Sequence, residues 1–339
     1  MSESSPHADA IAAFSLLSHL YLTPVLVELI RGGVPDHLDH GPLPAGDLAK
    51  RADLNELSVT RALRALAAFG AFQEVSPEVF ANNSVSDFYR DRPGSLRNAF
   101  LFWGSEHVIQ SAAALGHSIK TGEASFVHAF GESFWDRMRR LPEENELFNR
   151  ALAEVRGDEH RQIADAYEWE GVHTVVDVGG GAGSLLAAIL ENHQDMRGTL
   201  VEQPEVLPDA EHLLFARGVR DRCQFLGGSF FNPISAQGEV WTISQVLHDW
   251  PDADCRAILK NCREALRDAD RLLVIEMLTV PCKPDPRVSM LDMMMLLYFG
   301  EARQRTVDEY CDLFRTTGLE LTRVIPTAGA FSIVEARPV

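Results

Sequence analysis

The segment Ser244-Gln245-Val246-Leu247-His248-Asp249-Trp250-Pro251-Asp252 carries a histidine just past the apolar run Val240 to Ile243. A histidine at the carboxyl end of a strand in an open α/β sheet points into the ligand crevice. Its near-neutral pKa suits general-base work. Upstream, Val175-Val176-Asp177-Val178 runs into Gly179-Gly180-Gly181-Ala182-Gly183-Ser184 and then into a helical pattern, Leu185 to Leu190. Glycines at the end of such a strand let a ligand approach the backbone.

A dinucleotide loop requires G-x-G-x-x-G, and neither frame supplies it. The frame from Gly179 ends on Ser184 and the frame from Gly181 ends on Leu186. An acidic residue, Glu202, nevertheless closes the second strand at the position that holds ribose hydroxyls. Ribose recognition without a pyrophosphate loop points to a nucleoside cofactor such as S-adenosylmethionine.

These residues need a sheet to hold them. Val175–Val178, Thr199–Val201, Cys223–Leu226, Val240–Ile243 and Leu272–Ile275 are apolar runs of strand length that alternate with helical patterns. The alternation predicts an α/β fold with a parallel sheet and helices on both faces. Leu319–Val324 and Phe331–Glu335, separated by a turn around Ala328-Gly329, add two more strands as an antiparallel edge hairpin. Residues 95–168 are helical in pattern and rich in aromatic residues.

Ahead of them, Ile11 to Ile30 is apolar on almost every face, which requires burial on all sides. It reads as two helices broken near Pro24, part of whose surface packs on a second subunit, with Gly32 and Gly33 as the helix stop. Helical patterns follow over Gly46–Arg51 and Leu57–Phe69, the latter with Val59, Leu63, Leu66 and Phe69 on one face. Short strands at Phe72–Val75 and Val79–Ala81 flank Ser76-Pro77. Helix, helix and hairpin describe a winged helix.

Charge decides what that module does. Residues 1–94 hold seven Lys or Arg against twelve Asp or Glu, and the helix in the recognition position offers only Arg61 and Arg64. Nucleic-acid faces are basic, so dimerisation is the expected role and no nucleic-acid partner is expected. The whole chain of 339 residues is acidic as well, at −18, with 46% hydrophobic residues. At ~150 residues per domain that length suits about two domains, each able to bury a core.

The start, Met1 to Ala10, has no Lys or Arg and so lacks the charged region of a secretory signal. The richest apolar stretch, Met290 to Phe299, is interrupted by Asp292 and falls short of the ~20 residues a membrane helix needs. The five cysteines (Cys223, Cys255, Cys262, Cys282, Cys311) include no C-x-x-C pair. These features predict a cytoplasmic protein with no membrane partner, no disulfide framework and no metal.

Three segments in order, VDVGGGAG (Val176–Gly183), GGSFF (Gly227–Phe231) and VLHDWPD (Val246–Asp252), make the chain resemble the S-adenosylmethionine-dependent small-molecule O-methyltransferases related to caffeate O-methyltransferases, in their bacterial natural-product branch. The resemblance covers nearly the whole chain. It implies a Rossmann-like seven-stranded methyltransferase sheet behind an N-terminal, largely helical winged-helix dimerisation domain. Residues 1–94 would be that domain, 95–168 a helical linker contributing to the substrate pocket, and 169–339 the cofactor-binding domain.

Position by position, the resemblance implies that Gly179 and Gly181 meet the methionine part of the cofactor and Glu202 its ribose. Ser229 and Phe230 flank the adenine, Ser244 lies near the cofactor and Trp250 covers the purine. His248 falls on the catalytic base, Asp249 on the acidic residue after it, and Glu276 on a carboxylate that orients the imidazole. Ser229 stands where the family often has Asp. Gln304, in Arg303-Gln304-Arg305-Thr306, stands where plant members have Glu, which leaves Glu276 and Asp249 as the expected partners of the ring.

The acceptor is expected to be a small hydroxylated aromatic held by apolar walls, with Phe134, Trp135, Leu152, Met290, Met294, Met295 and Phe299 as candidates. Two other readings fit parts of the pattern. One is a family relative that uses the bound sulfonium for chemistry other than methylation; the other is a ligand-responsive regulator built on the winged helix.

Overall fold

The computed structural model of the chain describes the backbone of residues 6–339 and the side chains from Ala13 onward other than Leu16. The first five residues of the polar start lie outside the described residues. The chain divides into two compact units, one formed by residues up to Ala113 together with Trp135–Gly157, the other by Ala114–Phe134 and Asp158–Val339. The helical stretch 95–168 is thus shared between them.

In the first unit, α1 (Pro6–Arg31), α2 (Val34–His37), α3 (Ala45–Ala52) and α4 (Glu56–Ala68) precede the hairpin strands β2 (Gln73–Ser76) and β3 (Val79–Ala81). A two-residue strand, β1 (Leu43–Pro44), pairs with β3 to complete an antiparallel sheet of order β1-β3-β2. Asn55 starts α4 by accepting a hydrogen bond from the Ser58 amide at 3.0 Å. Val59, Leu63 and Leu66 then face a core shared with Ile30, Leu48, Phe72 and Phe80. Phe69 lies past the helix end and is exposed, unlike the other three. The same unit holds α5 (Arg97–Trp103), α6 (Glu106–Ala113) and α10 (Pro142–Arg156).

The break expected near Pro24 is absent, and α1 runs through it. Proline removes the donor for the carbonyl four residues back, which belongs to Leu20. The helix continues through this position all the same, beside the exposed residues Leu20 and Tyr21. Gly33 at φ 68° supplies the left-handed stop, as the sequence indicated. Continuity changes the membrane reading too. The 19 residues Ala13–Arg31, not Met290–Phe299, form a helix long and apolar enough to cross a bilayer by length and composition. Its exposed residues include Phe14, Leu17, Leu20 and Tyr21.

The second unit contains α7 (Leu115–Thr121), α8 (Ser125–Phe130) and α11 (Glu159–Ala166), with α9 (Phe134–Arg140) beginning at its boundary. Its sheet is built from β4 (Thr174–Val178), β5 (Arg197–Glu202), β6 (Cys223–Gly227), β7 (Val240–Ser244), β8 (Arg271–Glu276), β9 (Leu319–Pro326) and β10 (Ser332–Pro338). The order is β6-β5-β4-β7-β8-β10-β9. β4 to β8 pair in parallel, and β10 pairs antiparallel with both β8 and β9, giving the expected edge hairpin.

Between the strands lie α12 (Ser184–Asn192), α13 (Leu207–Ala216), α14 (Asp252–Ala265), α15 (Pro286–Phe299) and α16 (Val307–Arg315). Val175, Leu200 and Leu273 join one apolar cluster, while Val176, Trp241 and Val274 join the other. Two-sided burial is why these strands read as predominantly apolar runs. The carboxyl ends of β4, β5, β7 and β8 carry Gly179, Glu202, His248 and Glu276, at the switch point where such sheets bind ligands.

The continuous α1 makes a prediction. Pro24→Ala restores the missing donor and should raise stability by about 1–3 kcal/mol in urea unfolding. A helix break at this position would instead leave stability unchanged or lower it.

Candidate active site

The glycine bend follows from the strand beneath it. Gly179, Gly181 and Gly183 all have positive φ (68°, 56° and 78°), which only glycine adopts freely. The Gly179 amide continues the ladder by donating to the Val201 carbonyl at 2.8 Å. A Cβ at Gly179 would lie 2.9 Å from Val246 and 3.3 Å from Phe230, whereas at Gly181 it would meet nothing within 4 Å. The bend is therefore packed on its inner side and open at Gly181.

Glu202 at the end of β5 reaches this bend. Its Oε2 accepts from the Gly181 amide at 2.9 Å and its Oε1 from the Gln203 amide at 2.6 Å. Each oxygen keeps a second lone pair for a hydroxyl donor. Phe230, Phe231 and Trp250 form an aromatic cluster beside Gly179. The Trp250 ring stands edge-on to Phe231 at 4.7 Å and to Phe230 at 6.0 Å. Asn261 fixes the Phe230 carbonyl at 2.9 Å, and the Ser229 hydroxyl accepts from the Phe231 amide at 3.2 Å. Phe231 was missed in the sequence, although its aromatic pair with Phe230 was visible there.

The Ser244 hydroxyl is buried without a hydrogen-bond partner among the described residues. Orphaned polar atoms of this kind cost free energy unless a ligand or water completes them. A backbone cradle, an acidic receiver, an aromatic wall and an orphaned hydroxyl fit a nucleoside with a cationic tail.

His248 sits on the short 3-10 turn Leu247–Asp249 and is buried. Its Nδ1 lies 2.8 Å from the Gln304 side-chain amide and 3.2 Å from Glu276 Oε2, and its Nε2 lies 3.3 Å from Asp249 Oδ1. The two carboxylates were anticipated. Gln304 was not, and it is the nearer group on Nδ1. The His248 amide also donates to Glu276 Oε1 at 3.3 Å, so one carboxyl group addresses both backbone and ring. Burial pushes the Glu276 carboxyl up to about 8, with the Asp249 charge adding to the effect.

The turn is held from behind by Arg305, which the sequence did not reveal. Its fully buried guanidinium donates to the carbonyls of Leu247 at 2.8 Å and Trp250 at 2.7 Å, and to Asp252 Oδ1 at 2.9 Å. The segment carrying Gln304 and Arg305 is anchored at both ends. Asp292 accepts from the Gln304 amide at 2.7 Å, and Thr306 caps α16 in a reciprocal pair with Glu309.

The expected acceptor-lining residues fall in both units. In the second, Phe134 is buried against Tyr298 (4.5 Å) and Phe299 (5.9 Å). Met295 is buried in α15, Met294 and Phe299 are half-buried, and Met290 is exposed. In the first, Trp135 packs edge-on to Phe148 at 6.0 Å and Leu152 is half-buried.

Known proteins share this architecture. The O-methyltransferase domain family matches residues 113–320. A phenazine O-methyltransferase of Lysobacter antibioticus, PhzM, is 36% identical over 98% of both chains. A mitomycin biosynthesis 6-O-methyltransferase of Streptomyces lavendulae is 39% identical, covering 92% of this chain and 89% of its own. Among solved structures, the mitomycin 7-O-methyltransferase MmcR superposes with a TM-score of 0.92 at 36% identity over 98% of both chains. The neocarzinostatin-pathway O-methyltransferase NcsB1, solved with S-adenosylmethionine and 2-hydroxy-5-methyl naphthoic acid, gives 0.81 at 30% identity, covering 94% of this chain and 96% of its own.

The raised Glu276 pKa fixes a stability slope. From about pH 4.5 to about 8 the unfolded chain releases this proton while the folded chain keeps it, so stability falls as pH rises. Glu276→Gln should flatten urea-unfolding stability across that window. An unchanged slope would mean that Glu276 is already ionised in the fold.

Proposed function

The chain belongs to the O-methyltransferase family, S-adenosylmethionine-dependent enzymes of bacterial natural-product synthesis among them, and on that premise we propose that it methylates a phenolic hydroxyl with His248 as general base. The acceptor class is an aromatic secondary metabolite of phenazine or polyketide type. One observation carries the reading: a buried imidazole with Gln304 and Glu276 against its Nδ1, in the same unit as a glycine bend that can take a nucleoside.

When bound, S-adenosylmethionine supplies a methyl group on a sulfonium that already carries its leaving group. Gly179 and Gly181 receive its methionine part, Glu202 the ribose hydroxyls, Ser229, Phe230 and Trp250 the adenine, and Ser244 lies alongside. The remaining task is to hold the acceptor oxygen in line and remove its proton, and orientation can supply several kcal/mol of the barrier. Phe134, Met294, Met295 and Phe299 offer apolar and sulfur contacts to a flat ring.

A phenol with pKa about 10 is protonated at neutral pH, so a positioned base contributes roughly 10²- to 10⁴-fold. For Nε2 to take that proton, Nδ1 must carry its own. As oriented, the Gln304 amide turns Nε2 to the ring and leaves Oε1 buried without a hydrogen-bond partner. Half a turn of the amide brings Oε1 to Nδ1–H and holds the base-competent tautomer. Asp249, next to Nε2, then favours the imidazolium that forms.

The apolar face of α1, with Phe14, Leu17, Leu20 and Tyr21 exposed, is read as covered by a second copy in a cytoplasmic homodimer. Leu17→Glu should shift the mass measured by light scattering toward monomer, and an unchanged mass would remove this helix from the interface.

The function is tested with hydroxylated naphthoates and phenazines as acceptors, following S-adenosylhomocysteine formation. His248→Ala should lose at least about a hundredfold in turnover while cofactor Kd stays within twofold. Turnover equal to wild type would remove His248 as the base, and uptake without any methylated product would favour the non-methylating alternative.

A further inference from the structure

Asp177 has no part in the proton transfer, yet it lies directly under the cofactor bend. It is wholly buried near the end of β4, and its Oδ1 accepts from the Thr242 hydroxyl at 2.7 Å. Its Oδ2 has no hydrogen-bond partner among the described residues. Gly180 covers that atom: a Cβ there would stand 2.3 Å from Oδ2 and 2.6 Å from Leu200. Alanine at 180 would therefore clash with the carboxylate itself.

The groups around Asp177 do not balance an ionised carboxylate. β5 brings Leu200 and the Glu202 carboxylate, β7 brings the Thr242 hydroxyl, and α12 carries the apolar Leu185 and Leu186. Burial raises the pKa to about 6 against the lowering effect of the Thr242 bond, and the Glu202 charge raises it further. An uncompensated buried charge of this kind gains most from a cation placed nearby.

The methyl donor and the product left after transfer differ by such a charge. The donor is a sulfonium cation, whereas the product is a neutral thioether. We propose that Asp177 is a charge-sensing residue beneath the glycine bend that strengthens binding of the sulfonium cofactor relative to its thioether product. The inference rests on the cofactor occupying the Gly179–Gly183 bend. A cation above the bend favours ionised Asp177, so binding below about pH 6 expels a proton, and cofactor affinity rises with pH up to that point. The thioether lacks the sulfonium charge, so its dependence is weaker and it leaves more readily.

The test is titration calorimetry of the full chain with S-adenosylmethionine, S-adenosylhomocysteine and sinefungin, whose protonated amine replaces the sulfonium. Buffers of different ionisation enthalpy report protons released. Wild type should release protons near pH 6 with the two cations and markedly fewer with the thioether. Asp177→Asn should abolish the difference and lower the preference for sulfonium over thioether by about tenfold, the equivalent of one pKa unit.

If Asp177→Asn does not fold, Thr242→Val provides the second arm. It removes a bond that favours the ionised form and should move the midpoint of proton release upward. Unaltered proton release and preference in folded Asp177→Asn, or an unmoved midpoint in Thr242→Val, overturns the proposal. No uptake of any of the three compounds by wild type overturns the bend assignment and this inference with it.

Discussion

One buried guanidinium sets the geometry on which the site depends. Arg305 bonds the Leu247 and Trp250 carbonyls and the Asp252 carboxylate, spanning both sides of the turn that carries His248. A short 3-10 turn leaves carbonyls unsatisfied, and charge-assisted bonds from a rigid planar group both complete them and fix their spacing. The same segment delivers Gln304 to the imidazole, so the ring and its orienting group are positioned by neighbouring residues. Thr306 and Glu309 lock that segment to the start of α16.

Around this anchor the site separates two acidic environments. Glu276 and Asp249 flank the imidazole, while Asp177 and Glu202 sit at the bend. Burial raises the proton affinity of Glu276 and of Asp177 alike, though by different amounts. A site built this way suits a positively charged donor at one end and a proton that must be taken up at the other. Neutral Gln304 fits that pattern: it adds no third carboxyl group around a ring already flanked by two.

Much of the sheet was legible because its central strands are buried on both faces, and β4, β7 and β8 read as mostly apolar runs of strand length. The bend was legible because glycine at 179, 181 and 183 answers a backbone need. Other features had no local signature. β1 is only two residues long, and α1 continues through Pro24, where a proline ordinarily marks a break. The contact between Gln304 and His248 spans 56 positions. Nothing in Arg303–Thr306 announces that an amide reaches the ring or that Arg305 is fully buried, since both follow from where the loop after α15 returns to the sheet.

The central claim is that Nδ1 of His248 carries the proton and Nε2 presents a lone pair to the acceptor. It is tested most directly by 15N NMR of the histidine-labelled enzyme in complex with S-adenosylhomocysteine, with His248→Gln used to assign the signal. The account predicts a neutral ring protonated at Nδ1 and free at Nε2. A neutral ring protonated at Nε2, accepting from the Gln304 amide, would contradict it.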